Sequence, residues 1–144
     1  MRRILSEITL CAVMVLFSAS SFKPAAETEM IFFHGTWKEA VLKAKKEKKN
    51  LFLDISASWC GPCKMLHRFT FTNAEVAAFY NKNFINVEVD GEVGEGTELA
   101  QRFHIDAYPT LIYLDKNEKN LMTATGYRPP ADFIALGKEA IGKK

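Results

Sequence analysis

After about residue 30 the hydrophobic rhythm of the chain changes period several times, and each change predicts an element. Trp37, Ala40, Val41 and Ala44 recur at the spacing of one helical face, with Thr36 and Glu39 in front of them as a capping box. Lys43 to Lys49 closes this helix with cations at the negative end of its dipole and reads as a solvated face. Leu51 to Ile55 (LFLDI) is a short apolar run, the pattern of a strand buried on both sides, and Asp54 is the anomaly in it. Lys64 to Phe69 continues as a helix, and Asn73 caps another that carries Glu75, Val76, Phe79 and Tyr80. Phe84 to Asp90 (FINVEVD) alternates and is rich in β-branched residues, which predicts a second strand. Gly91, Gly94 and Gly96 mark a loop before a short helix near Glu98 to Phe103. Thr110 to Leu114 and Leu121 to Thr125 flank the polar turn Asp115 to Asn120 as a hairpin, and Pro129 and Pro130 open a last helix with Phe133, Ile134 and Leu136. A small extra strand fits Met30 to Phe33. This order predicts an α/β fold, a central mixed β-sheet flanked by helices on both faces.

The amino end is patterned differently. Arg2 and Arg3 precede an apolar run from Ile8 to Phe17, and Ser18, Ala19 and Ser20 follow, the layout of a secretory signal. The run would cross only about half of a hydrocarbon core at roughly 1.5 Å per residue, so a signal is expected rather than a membrane span. Cys11 lies inside it behind Leu10, where a lipidation site would need a small residue, and lipidation is rejected. Residues 1–20 are therefore read as a signal peptide, 21–29 (SFKPAAETE) as a flexible leader and 30–144 as one domain. Loss of Arg2, Arg3 and Glu7 with the signal would take the formal charge from +2 to +1.

Composition narrows the classes. At 144 residues, 48% hydrophobic and 25% charged, the chain has enough apolar surface to offset its ordering entropy, so it is not a disordered chain. A net charge of +2, evenly spread, supplies no basic face for a phosphate backbone, and nucleic acid is excluded as an expected partner.

Cleavage would leave two cysteines, Cys60 and Cys63. A disulfide closing so short a loop removes only about 1.9 kcal/mol of unfolded-state entropy, against about 4.7 for a 100-residue loop, so stability is a poor reason for the pair. The segment Ser58 to Lys64 leaves a strand and enters a helix, where unpaired N–H groups stabilise a thiolate. Cys60 is thus the expected nucleophile, and Cys63, one turn later, is close enough to attack a mixed disulfide formed on it. Gly61 permits the tight turn and Pro62 fixes φ early in the helix. A zinc site would have to recruit His34, His67 or His104, none of which belongs to a second close-spaced ligand pair, so no metal is expected. Lys64 stands where a c-type haem motif needs histidine, and no cofactor is expected.

The motif Trp59-Cys60-Gly61-Pro62-Cys63-Lys64 behind a strand resembles the thioredoxin family and its exported relatives, and the resemblance runs from about Met30 to the end of the chain. It implies a thioredoxin fold, with Cys60 as attacking thiol, Cys63 as resolving thiol and Trp59 as a shield beside them. Asp54, six residues before Cys60, matches the family's buried acid, and desolvation would fit it to exchange protons with Cys63. Tyr108-Pro109-Thr110 matches the cis-proline loop that receives an extended substrate, and Gly126 a glycine on the same side. Trp59, Gly61, Pro62, Tyr108, Pro109 and Gly126 would together bind the client. Two positions depart from the pattern: Arg68 replaces a kink proline, and Asn86 a lysine beside the buried acid. The run Phe69 to Asn73 is similar to the C-terminal domain of bacterial thiol:disulfide interchange reductases, in which an acidic residue stands at the position of His67.

The resemblance implies an exported thiol:disulfide oxidoreductase, periplasmic or otherwise extracytoplasmic and soluble after signal removal. It would act as a monomer that reduces disulfide-bearing client proteins and draws electrons from a membrane thiol donor. Gly-Pro between the cysteines resembles the reducing members. An oxidase or isomerase of folding proteins, or a peptide-binding module without turnover, are the alternatives.

Overall fold

The structure is a computed structural model, and it describes residues 28–143; the signal layout of residues 1–20 lies outside them. In chain order the elements are α1 (Trp37–Glu47), β1 (Asn50–Ser56), α2 (Gly61–Met65), a π-helical turn (Leu66–Thr70), α3 (Ala74–Asn83), β2 (Phe84–Asp90), α4 (Glu95–Arg102), β3 (Thr110–Leu114), β4 (Asn120–Thr125) and α5 (Pro130–Gly142). The strands form one sheet in the order β2-β1-β3-β4. β1 runs parallel to β2 and antiparallel to β3, which pairs antiparallel with β4, so the sheet is mixed as the sequence predicts.

Alternation along β1 divides the interior in two. Leu51, Leu53 and Ile55 join Ile85, Val87, Ile112 and Leu114 beneath α1 and Leu99 of α4. Phe52 points the other way and meets Phe71, Tyr80, Tyr113 and Phe133 at ring-centroid distances of 5.2–6.5 Å, under α3 and α5. Burying a ring of this size is worth about 1.5–3 kcal/mol, so β1 is held from both sides. The tyrosines bring hydroxyls into this core and satisfy them there: Tyr80 Oη lies 2.8 Å from Tyr113 Oη and donates to the Phe133 carbonyl at 2.6 Å. α1 has the expected capping box, with Glu39 N–H donating to Thr36 Oγ1 at 3.3 Å and Thr36 N–H to Glu39 Oε2 at 2.8 Å.

Three local expectations are corrected. Met30 to Phe33 forms no strand but a single bridge between Phe32 and Asn86, because its backbone groups go to side chains and a loop. Ile31 N–H donates to Asn81 Oδ1, Asn86 Nδ2 donates to the Ile31 carbonyl, and Met30 N–H reaches the Phe71 carbonyl. The helix entered at the cysteines is not α-helical through Phe69: Phe71 N–H donates to the Leu66 carbonyl at 2.9 Å, an i→i+5 bond. Finally, α4 starts at Glu95, three residues earlier than the glycine pattern implies. A Cβ on the buried Gly96 would lie 1.9 Å from the Asp90 carbonyl oxygen, so this glycine brings the helix against the end of β2 and is not a loop residue. No helix among the described residues is long and apolar enough to cross a membrane.

Candidate active site at the cysteine pair

β1 ends at Ser56 and the chain turns at once, with Cys60 N–H donating to the Ala57 carbonyl at 3.0 Å. Cys60 is the N-cap of α2, with extended backbone (φ −72°, ψ 112°), and its Sγ accepts the Cys63 N–H at 3.2 Å. Pro62 occupies the first turn, where its missing N–H costs nothing. Cys60 and Cys63 are joined as a disulfide with Cα atoms 5.3 Å apart. Both are buried in this oxidised form, so exposure does not separate their roles, although Cys60 caps the helix and Cys63 lies inside it.

Two of the residues singled out in the sequence, Trp59 and Tyr108, stand together beside the pair. Trp59 is 65% exposed; its indole N–H donates to Glu92 Oε2 at 3.0 Å, and its ring stands edge-on to Tyr108 at 5.9 Å. Tyr108 packs against the cluster of Ala57, Cys60 and Cys63. It can do so because Gly91 has no side chain: a Cβ there would lie 2.7 Å from the Tyr108 hydroxyl. The Tyr108–Pro109 bond is cis, as the resemblance implies, and Gly126 at φ 90° donates its N–H to the Pro109 carbonyl at 2.9 Å. Gly126 therefore ties the end of β4 to the proline loop. Gly61 and Pro62 are exposed on the outer side of the turn.

Asp54 lies beneath this surface. It is fully buried on β1, and neither carboxylate oxygen has a hydrogen-bond partner. Burial above all, then the negative charge of Glu88, pushes its pKa up to about 8, while the charge of His67 pulls it down. Glu88 faces Asp54 directly in the parallel β1–β2 register and is ion-paired to His67, Nε2 to Oε1, at 2.8 Å. The hydrogen bond to Glu88, partly opposed by burial, raises the pKa of His67 above its ordinary value. Asn86, expected beside the acid, stands opposite Phe52 and gives its amide to Ile31 and Asn81, while Glu88 pairs with Asp54.

Sequence reasoning missed Glu88. A signal was present, since Asp54 and Glu88 are each fifth in their strands and a parallel pairing from the first residues sets them side by side. His67, Glu88 and Cys63 also border one cavity of about 290 Å3, with Lys64 and Asp90 at its edge. The donor atoms of Asp54, His67 and Glu88 lie within 4.8 Å of one another. The His67–Glu88 pair is nevertheless closed on itself at 2.8 Å, shorter than the edge of about 3.3 Å between ligands about 2.0 Å from a tetrahedral ion. Together with a carboxyl that burial brings to about 8, near neutral pH, this spacing suits proton exchange better than cation binding.

Residues 37–141 match the thioredoxin-like domain family. The chain belongs to that family. Thioredoxin H5 of Arabidopsis thaliana is 36% identical over 93 residues, covering 62% of this chain and 73% of that protein. The thiol:disulfide interchange protein DsbD of Colwellia psychrerythraea is 29% identical over 101 residues, which is 67% of this chain but only 17% of DsbD. A solution structure from Bacteroides thetaiotaomicron, provisionally assigned as a disulphide-isomerase, superposes with a TM-score of 0.71 at 31% identity, covering 83% of this chain and 99% of that one. With these relatives and the Cys60–Cys63 pair, this thioredoxin-like chain is a thiol:disulfide oxidoreductase.

Proposed function

We propose that the protein works outside the cytoplasm as a reductase of protein disulfides. The Cys60 thiolate attacks one sulfur of a client disulfide, forms a Cys60–client mixed disulfide and expels the other client sulfur as a thiolate. Cys63 gives its proton to the carboxylate of Asp54 and attacks Cys60 Sγ, which restores the Cys60–Cys63 disulfide and releases the second client thiolate. Two electrons pass from the protein dithiol to the client. A membrane thiol carrier would return them, since an extracytoplasmic reductase needs a donor.

The observation that carries this reading is the cysteine pair at the start of α2, packed against Tyr108, whose bond to Pro109 is cis, with an acid lacking a hydrogen-bond partner on the strand that leads into it. Trp59, Gly61, Pro62, Pro109 and Gly126 are the surface on which an extended client lies. Export is supported by the basic pair, apolar run and small residues within 1–20, and the domain is taken to begin near residue 30. Expression of the full chain with a signal peptidase present should yield a protein whose first residue is Ser21.

Gly61-Pro62, shared with the reducing members, supports the reductive direction. Equilibration with glutathione buffers, followed by Trp59 fluorescence, should give a potential more negative than about −220 mV. A value above about −170 mV would overturn the reductase reading in favour of an oxidase or isomerase. Cys60→Ala separates catalysis from simple binding, because a peptide-binding module would retain its peptide affinity without any redox turnover.

A further inference from the structure

A proton acceptor without a hydrogen-bond partner must still release its proton once in every cycle. Asp54 is surrounded by core: Leu53 and Ile55 flank it on β1, and Leu111 pairs with it across β3. Its register partner on the other side is Glu88, and the donor atom of His67 lies within 4.8 Å of both carboxylates. The side chains of His67 and Glu88 are 42% and 31% exposed, they are paired at 2.8 Å, and both border the cavity of about 290 Å3 that Cys63 also lines. The pair therefore stands within 4.8 Å of the buried acid, borders the cavity on the resolving cysteine's side of the site, and is open to water.

We propose that the His67–Glu88 pair is the proton port of this site, through which Asp54 exchanges its proton with water in the cavity beside Cys63. The inference rests on Asp54 being the proton acceptor of Cys63. In the forward step the Cys63 proton moves to Asp54. It then passes to the paired His67 and Glu88, and from the half-exposed imidazole to water, so the site returns to its starting charge. His67 and Glu88 are positioning residues here, since they act on sulfur only through Asp54. Their charges act on it in opposite senses, Glu88 favouring its protonated form and His67 its ionised form. The other ionisable side chains facing this space are Lys64 and Asp90 at the cavity edge and Glu29 and His34 around the adjoining groove. Tyr113, from β3, is held neutral by burial.

The test is the pH profile of the resolution step. Reduced protein is mixed rapidly with an aromatic disulfide reagent, and the second equivalent of coloured thiolate reports the attack of Cys63 on Cys60. The ratio of resolution rate to attack rate is read, so that partial misfolding, which lowers both, does not imitate the effect. His67→Gln should move the inflection to higher pH by about half a unit to one unit, the scale for a charge at this distance in a partly buried site. Glu88→Gln should move it to lower pH. In His67→Ala, added imidazole should restore resolution several-fold while leaving the parent protein unaffected.

Shifts of equal sign in the two glutamine variants, or unmoved inflections, would overturn the port while Asp54→Asn still slowed resolution. If Asp54→Asn left resolution unchanged, the role of Asp54 would fall and the port with it.

Discussion

Replacing Asp54 with Asn tests the burial argument in its purest form, because the two side chains have nearly the same shape and only one can ionise. The ordinary value for the carboxyl is 3.8 and burial carries it up to about 8. Between those values the folded state holds a proton that the unfolded chain has already released. Folded protein therefore binds more protons, and stability falls as pH rises through this window, by about 1.4 kcal/mol per unit, before levelling above about pH 8. The cost to the folded state is about 4 kcal/mol at pH 7 and about 6 kcal/mol beyond pH 9. That is a large share of the roughly 5–15 kcal/mol that stabilises a domain.

The Asp54→Asn variant would carry no such cost. Urea unfolding of the oxidised proteins, in which neither cysteine titrates, should give curves that nearly coincide at pH 4 and diverge steadily to pH 8. At pH 7 the variant should melt roughly 10 °C or more above the parent. Curves that stayed parallel from pH 4 to pH 9 would refute the reasoning, since they would mean that the carboxylate keeps a polar partner or water in the folded protein.

The remaining expectations concern other parts of the same region. His67 binds its proton more tightly in the folded state than in the unfolded chain, so its contribution is present below about pH 6.5 and lost as pH rises through the folded value; His67→Gln should be less stable than the parent at pH 5.5 and equal to it at pH 9, and an equal gap at both would refute this. Gly96→Ala, whose methyl would meet the Asp90 carbonyl, should cost about 3 kcal/mol in urea unfolding, and a loss below about 1 kcal/mol would show that α4 can lift from β2. In the reduced protein Cys60 should be alkylated before Cys63, as peptide mapping after brief labelling would reveal; predominant label on Cys63, which borders the cavity, would exchange their roles.

How legible the fold was depended on whether an element answers to local or distant partners. β2 and β3 occupy the residues predicted, and α1 keeps its capping box, because alternation and capping are encoded within a few positions. Alternation in β2 gave the strand but not its surroundings. Asn86 and Glu88 share the face of β2 that the segment at Met30 to Phe33 and the turn holding His67 cover, so Asn86 is buried against Ile31 and Asn81, and the register with β1 sets Glu88, not Asn86, beside Asp54. Gly96 reads as loop punctuation until the neighbouring strand end is in place to explain it. The cysteines and Asp54 stood out because each breaks the rule of its local context: a reactive pair at a helix start, and a charge in a buried strand. Glu88 breaks no rule, and only pairing with β1 gives it a role.

The π-helical turn explains how the redox pair and the proposed proton port come to share one short stretch. Leu66, Thr70 and Phe71 are all buried, Leu66 and Phe71 within the same core as Phe52 and Phe133. In an α-helix, residues five apart point about 140° away from each other, so Leu66 and Phe71 could not both enter that core. The i→i+5 bond from Phe71 N–H to the Leu66 carbonyl closes a wider turn and brings them onto one side. His67, next after Leu66, then stands at the rim of the core with its ring 5.0 Å from Phe71 and its Nε2 on Glu88. A proline at position 68 would break the helical ladder by removing an N–H. Arg68 breaks nothing and extends over Phe69, its guanidinium 5.1 Å from the ring centroid. The wider turn and not a missing donor is what interrupts the α-helix here, and with it an imidazole reaches the carboxylate opposite Asp54.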